Sequence, residues 1–229
     1  KILGDKKGKW KGVKWIENKM KKISKKPEKI KLKDVMWAMR TPKLTGDTAG
    51  YGQVVPLIDP AHNDLRMLWH SPIGAVASTF SPVFIGQTKV PEEFMMHRYL
   101  TVGESHKFSD LRKKENKDAV SLVNQGVEST LSAVYECKRL FYLILQNKKN
   151  YPRINKAFEN REKKLIKKTI KIIKNKKKLS KSLLNNFSSF ELKNGLKLVQ
   201  NLSIKIENHI RNSQGFSKKI KPKSFNQIW

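Results

Sequence analysis

Two segments of the chain space cations at short intervals, and one of them interleaves the cations with indole rings. Near the N-terminus Lys6, Lys7, Lys9, Lys11 and Lys14 alternate with Trp10 and Trp15, and Lys21, Lys22, Lys25 and Lys26 follow. Lysines that meet phosphates release condensed counterions, while an indole stacks on an unpaired base or fills a groove. Folded RNA offers both dense phosphate and splayed bases. The second segment carries Lys163, Lys164, Lys167, Lys168, Lys171 and Lys174, with almost no glutamate between them. A free-standing solvated helix more often mixes signs. Lysine is a point charge without a bidentate fork, so contacts of this kind fix position and do not read sequence. Two rival readings apply to the N-terminal segment. One is a solvated tail whose tryptophans pack on the protein's own core. The other is a membrane-surface helix, because Trp15, Ile16, Met20 and Ile23 have rough helical spacing.

Other residue patterns point to no reaction. Gly46, Gly50 and Gly52 lie in GDTAGYG, but no Gly-Lys-Ser/Thr follows. A phosphate-binding loop needs that lysine at a helix start, so a glycine-rich turn is the simpler reading. His62, His70, His97 and His106 are separated by 8, 27 and 9 residues, and none forms the i, i+4 pair that sets two imidazoles on one helical face. Met95-Met96-His97 is a weak soft-ligand pattern. Cys137, the single cysteine, rules out an internal disulfide and sits near an apolar helical face, where a buried thiol is inert. Glu92-Glu93 reads as a solvated loop, and there is no Gly-x-Ser-x-Gly elbow. The sequence therefore assigns no catalytic, cofactor-binding or metal-ligating residue, no cofactor and no small-molecule substrate, and the chain is not expected to be an enzyme.

The elements that must carry the basic segments follow from the charge distribution. The chain has 229 residues and a net charge of +30. Of its cations 41 are Lys and only 8 are Arg. Residues 1–43 carry +12, 44–106 carry −3, 107–150 carry +4 and 151–229 carry +17. A free monomer this basic repels itself and binds polyanions, so the isolated chain is expected to fold poorly and to dissolve only at high salt. Four regions result. Residues 1–39 form a basic Trp/Lys-rich N-terminal arm. Residues 40–106 form a near-neutral, irregular segment with short strands, holding six of the nine prolines and four of the five histidines. Residues 107–150 hold a linker and an amphipathic helix, and 151–229 form a basic helical region with an extended tail.

Within the neutral centre, Val54-Val55, Val76 and Val83-Phe84-Ile85 are the best strand cores. Met67–Thr88 contains no Lys, Arg, Asp or Glu. Pro72 and Pro82 interrupt it, which favours a buried loop-and-strand segment over a transmembrane helix. Three helices are expected beyond it, over 118–149, 155–176 and 181–211. The first has Val120, Val123, Val127, Leu131, Val134, Phe141 and Leu145 on one face, Asp118 as its N-cap and Pro152 beyond its end. The third contains Gly195, which weakens it by about 1 kcal/mol relative to Ala. The fold expected is mainly α with an irregular, short-strand central segment, a small core and extended basic arms.

This organisation resembles ribosomal proteins, organellar ones in particular, in which a small core bears long basic arms. The resemblance is one of type and brings no motif with it. It implies a structural subunit that binds rRNA and neighbouring proteins of a large assembly, without homo-oligomerisation. The Lys- and Asn-rich composition and the absence of a starting methionine favour a mitochondrial setting. The alternatives are a basic accessory subunit of an organellar membrane complex and a nucleic-acid-processing enzyme.

Overall fold

The uncharged run Met67–Thr88 becomes the centre of the molecule. In this computed structural model, which describes residues 11–25, 30–41, 51–56, 63–95, 132–175 and 179–214, it supplies two strands and the loop between them. Strand β1 (Gly52–Val54) pairs antiparallel with β2 (Met67–Ser71), and β2 with β3 (Ser81–Phe84). The register sets Val54 opposite Trp69 and Met67 opposite Phe84. Met67, Trp69 and Ser71 alternate inward along β2, as the period of two in a strand requires. Gly52 sits where a Cβ would meet the Phe80 ring and Ser71 Cβ at 3.1 Å, so β1 approaches its neighbours closely because it has no side chain there.

The described residues also form five α-helices: α1 (Lys11–Ser24), α2 (Leu32–Arg40), α3 (Ala133–Gln146), α4 (Tyr151–Lys174) and α5 (Lys181–Gln214). The described chain is thus mainly helical, with a small antiparallel sheet. One apolar cluster joins the sheet (Trp69, Phe84) and Phe80, just before β3, to Met36 of α2, Leu165 of α4 and Leu184 of α5. The second is built on the β2–β3 loop, where Ile73, Val76 and Ala77 meet Leu140 and Phe141 of α3, Phe158 of α4 and Val199 of α5. Burying each large apolar side chain contributes about 1.5–3 kcal/mol, so this loop carries packing equal to that of a strand. Its hydroxyls are satisfied internally. The Ser71 and Ser78 hydroxyls form a triangle with the Ile73 carbonyl, 3.0 and 3.1 Å from it, in which one hydroxyl donates to the carbonyl and the second donates to the first.

Helix α5 covers the outer edge of the sheet. Ser188 Oγ accepts from the Phe84 amide at 3.3 Å, and Ser81 Oγ donates to the Glu191 carbonyl at 3.1 Å. An exposed edge is a template for unwanted strand pairing; here α5 lies over it and Ser188 takes the Phe84 amide. The close approach needs small residues, and this is why Gly195 stands in mid-helix. A Cβ there would lie 3.2 Å from Ser81 Oγ and 3.2 Å from Thr79 Cγ2. The helix loses propensity at this position and gains contact with β3.

Several sequence expectations shift. Helix α3 begins at Ala133 with Ser132 as its N-cap, whose hydroxyl accepts from the Tyr135 amide at 3.1 Å. Asp118, Val120, Val123, Val127 and Leu131 lie outside the described residues. The buried face of α3 comprises Ala133, Glu136, Cys137, Leu140, Phe141, Leu143 and Ile144, while Val134 is 42% exposed. Pro152, expected as a stop, instead occupies the first turn of α4, where its missing N–H has no intrahelical acceptor to lose. Helix α4 accordingly starts at Tyr151 and not at Asn155, and α5 runs to Gln214. Leu32–Arg40, assigned in sequence to the N-terminal arm up to Met39 and to the central segment at Arg40, packs into the core as one helix through Met36, Ala38 and Arg40. No described helix is long and apolar enough to cross a membrane. The extended tail to Trp229 lies outside the described residues.

Candidate nucleic-acid interface

Helix α4 is amphipathic in an unusual sense: its inner side holds charge as well as apolar groups. Ile154, Phe158, Glu162, Leu165 and Thr169 are buried at spacings of three and four, one face of a 3.6-residue turn. Thr169 returns its hydroxyl to the Leu165 carbonyl at 2.9 Å, which satisfies it without a partner from another element.

Glu162 is the hub of a buried network. Its Oε1 accepts from the Arg40 guanidinium, from Thr79 Oγ1 at 3.0 Å and from the Phe80 amide at 2.9 Å. Arg40 is 1% exposed and also donates to the Ala75 carbonyl at 3.2 Å. Its guanidinium lies between two rings, 5.8 Å from the centre of Phe80 and 5.6 Å from that of Phe158. Arg40 Nη1 has no hydrogen-bond partner among the described residues, and the ring faces are what stabilise that end of the cation. The Tyr151 hydroxyl donates to the Arg40 carbonyl at 2.6 Å, and burial pushes its pKa up to about 12. Beside this network Arg161 donates to the Phe80 carbonyl at 2.9 Å and to Ser81 Oγ at 3.1 Å, and it pairs with Glu191 of α5.

The consequence for the surface is a separation of signs. Residues 151–229 contain four carboxylates, Glu159, Glu162, Glu191 and Glu207. Glu162 faces Arg40, Glu191 faces Arg161 and Lys168, and Glu207 pairs with Arg139 of α3. Glu159 accepts from Asn155 on the helix's own flank at 2.8 Å. Lys163, Lys164, Lys167, Lys168, Lys171 and Lys174 are all exposed on the opposite side of α4. Arg153 and Lys156, also exposed, extend the same face by nearly three turns toward the N-terminus. Sequence reasoning passed over these two, although Lys156 lies seven residues before Lys163, and Arg153 three before Lys156, spacings that return to the same helical face. At 3.6 residues per turn the eight cations occupy an arc of about 140° and a length of about 32 Å. Among the described residues only Lys168 of this group has an ion-pair partner, Glu191 at 3.3 Å, and it remains 61% exposed.

The N-terminal candidates divide differently. Lys14, Lys21, Lys22 and Lys25 are exposed on or just beyond α1. Lys21 pairs with Glu17 at 3.0 Å along the helix. The Trp15 ring lies 5.6 Å from that of Trp37 in α2, and Lys19 sits over it at 5.9 Å. Trp15 therefore has an intramolecular aromatic partner. Lys11 begins α1, and its side chain lies outside the described residues, as do Lys6, Lys7, Lys9, Trp10 and Lys26.

Among the described residues the remaining candidates form no second site. His70 lies on β2 with its pKa lowered by burial, and Tyr51 is its ring neighbour at 6.2 Å. His62, His97 and His106 are outside the described residues, and no group of three potential metal ligands occurs among those described. Cys137 is 1% exposed, and burial with Glu136 alongside raises its thiol pKa, the opposite of what a nucleophile needs. Comparison with protein-family models, with curated proteins and with solved structures gives no match.

Proposed function

We propose that the protein is a structural, rRNA-binding subunit of a large ribonucleoprotein, a mitochondrial ribosome by preference, and that it has no catalytic role. The observation that carries this reading is the sign separation on α4. Three of the four carboxylates of residues 151–229 pair with cations at buried or interhelical positions. The lysines are left as an exposed, nearly uncompensated stripe. A protein stable alone in solution gains nothing from that arrangement, because like charges on adjacent turns repel. A polyanion on the face reverses the sign of the interaction.

A lipid surface is the rival polyanion. An interfacial helix inserts its apolar side among acyl chains. The apolar side of α4 is instead occupied by the protein's own core, and Ile170 is the one large apolar side chain of the helix left exposed, too little to anchor it among acyl chains. The test is isolation of the native assembly at low salt, followed by analysis of what sediments with the protein. Co-sedimentation with rRNA, reversed as salt is raised, is the expected outcome. Sedimentation with lipid-embedded subunits, or as a free protein at low salt, refutes the proposal.

A further inference from the structure

We propose that the basic face of α4 docks on base-paired RNA, straddling a groove and contacting the phosphates of both strands, and that it does not hold single strands. This rests on the RNA-binding reading above and names the class of RNA that the site takes.

Proteins that hold single strands combine a cationic groove with aromatic rings, and each stacked base is worth about 1–3 kcal/mol. The face of α4 has neither feature. Between Arg153 and Lys174 the only uncharged residues inside the cationic arc are Ala157 and Asn160. The side chains of Tyr151 and Phe158, the two rings of α4, hydrogen-bond Arg40 and fill the core respectively. The face is also convex. Its opposite side is packed against the core, so the cations stand on a ridge, and a ridge fits a groove.

The cations further sort into two rows. Lys156, Lys163, Lys167 and Lys174 fall within about 40° of one another around the helix axis, and Arg153, Lys164, Lys168 and Lys171 within about 60°. The centres of the rows are about 80° apart, roughly 8 Å at the side-chain radius of a helix. Flexible lysine stems can splay wider. The minor groove of A-form RNA is wide and shallow and is flanked by the two phosphate rows. One row of cations facing each strand satisfies both. Seven of the eight cations are Lys, which suits shape and charge and not base identity.

The full chain should be titrated against a labelled RNA duplex of about 16 base pairs, the length one double-stranded-RNA module spans, and against an unstructured oligouridine of equal charge. The variant carries Lys163→Gln, Lys164→Gln, Lys167→Gln, Lys171→Gln and Lys174→Gln, all exposed and conservative in helix propensity. A control replaces Lys181, Lys197 and Lys205, exposed on α5 and outside both basic segments, by Gln. Circular dichroism establishes that both fold. On the duplex, the five-site variant should lower the slope of log K against log salt by about 4 and weaken binding at least tenfold at 0.1 M salt. On oligouridine its slope should change by less than about 1. An Arg153→Gln/Lys156→Gln variant should reproduce part of the duplex loss, about 2 units of slope. Equal losses on both RNAs overturn the duplex proposal while leaving RNA binding intact. An unchanged duplex slope in the five-site variant overturns it as well. Failure of the wild-type chain to bind either RNA, with capture by phosphatidylserine vesicles instead, overturns both this inference and the reading beneath it.

Discussion

Replacing Arg40 or Glu162 tests whether the molecule is held together through one buried ion pair. Glu162→Gln keeps an oxygen for the Phe80 amide and the Thr79 hydroxyl. It leaves Arg40, which is 1% exposed, as an uncompensated cation between two rings. Breaking a buried pair this way costs about 3–5 kcal/mol. Arg40→Met strands the Glu162 carboxylate and should cost about the same. The double variant Arg40→Met/Glu162→Gln removes both charges, and Met fills the space between Phe80 and Phe158. What it loses is the bond to the Ala75 carbonyl, about 1 kcal/mol, and the ring–cation contact, another 0.5–2 or so. The double variant should therefore be more stable than either single one. The assay is urea unfolding at about 1 M salt, where the Debye length falls to about 3 Å and surface repulsion is screened while the buried pair is not. In a thermal scan the single variants should lose roughly 6–20 °C. A single substitution costing under about 1 kcal/mol, or a double variant as damaged as the sum of the singles, refutes the reasoning that the pair is sealed from water.

Two other consequences of the packing can be measured. Gly195→Ala should lower the melting temperature despite a helix-propensity gain of about 1 kcal/mol, because the new methyl meets Thr79 and Ser81, whose hydroxyls are fixed by Glu162 and Arg161; a rise in melting temperature would show that those side chains yield freely. His70 is held below its ordinary pKa of 6.5 by burial, so its neutral form is favoured in the folded state and protonation favours unfolding. Its contribution is present above about pH 6.5 and is lost as pH falls through the lower folded value. Between pH 7.5 and 5.5 the wild-type chain should lose more stability than His70→Gln, and equal losses would remove His70 as the cause.

The distribution of sign and hydropathy along the chain determined a good deal by itself. An uncharged run broken by Pro72 and Pro82 cannot be a long helix, and β2, β3 and their loop are where it went. The lysine spacing in 163–174 required one exposed helical face. The apolar spacing on either side of Gly195 required one long helix, and α5 is continuous through it. Local signals misled where two meanings compete. Proline after a helix and proline in the first turn of the next look alike in sequence, and Pro152 is the second. Ser132 displaced Asp118 as the cap of α3, because every Ser, Thr, Asp or Asn upstream is an eligible cap and only packing chooses.

Tertiary structure alone decided which charges face inward. In sequence Arg40 is a cation at the border between the basic arm and the near-neutral centre, and Glu162 and Glu191 are stray acids among lysines. Their partners lie 122 and 30 residues away, a separation that no local pattern encodes. Once those acids are turned inward the surrounding lysines lose their nearest counterions, and a mixed-sign helix by composition becomes a single-sign face by geometry. The Trp15–Trp37 pair belongs to the same class, since only the approach of α1 to α2 brings the two rings within 5.6 Å. The physical reason is common to all of these cases. Periodicity fixes which side of an element is apolar, but the partner of a buried charge is fixed by which elements touch, and that is a property of the whole fold.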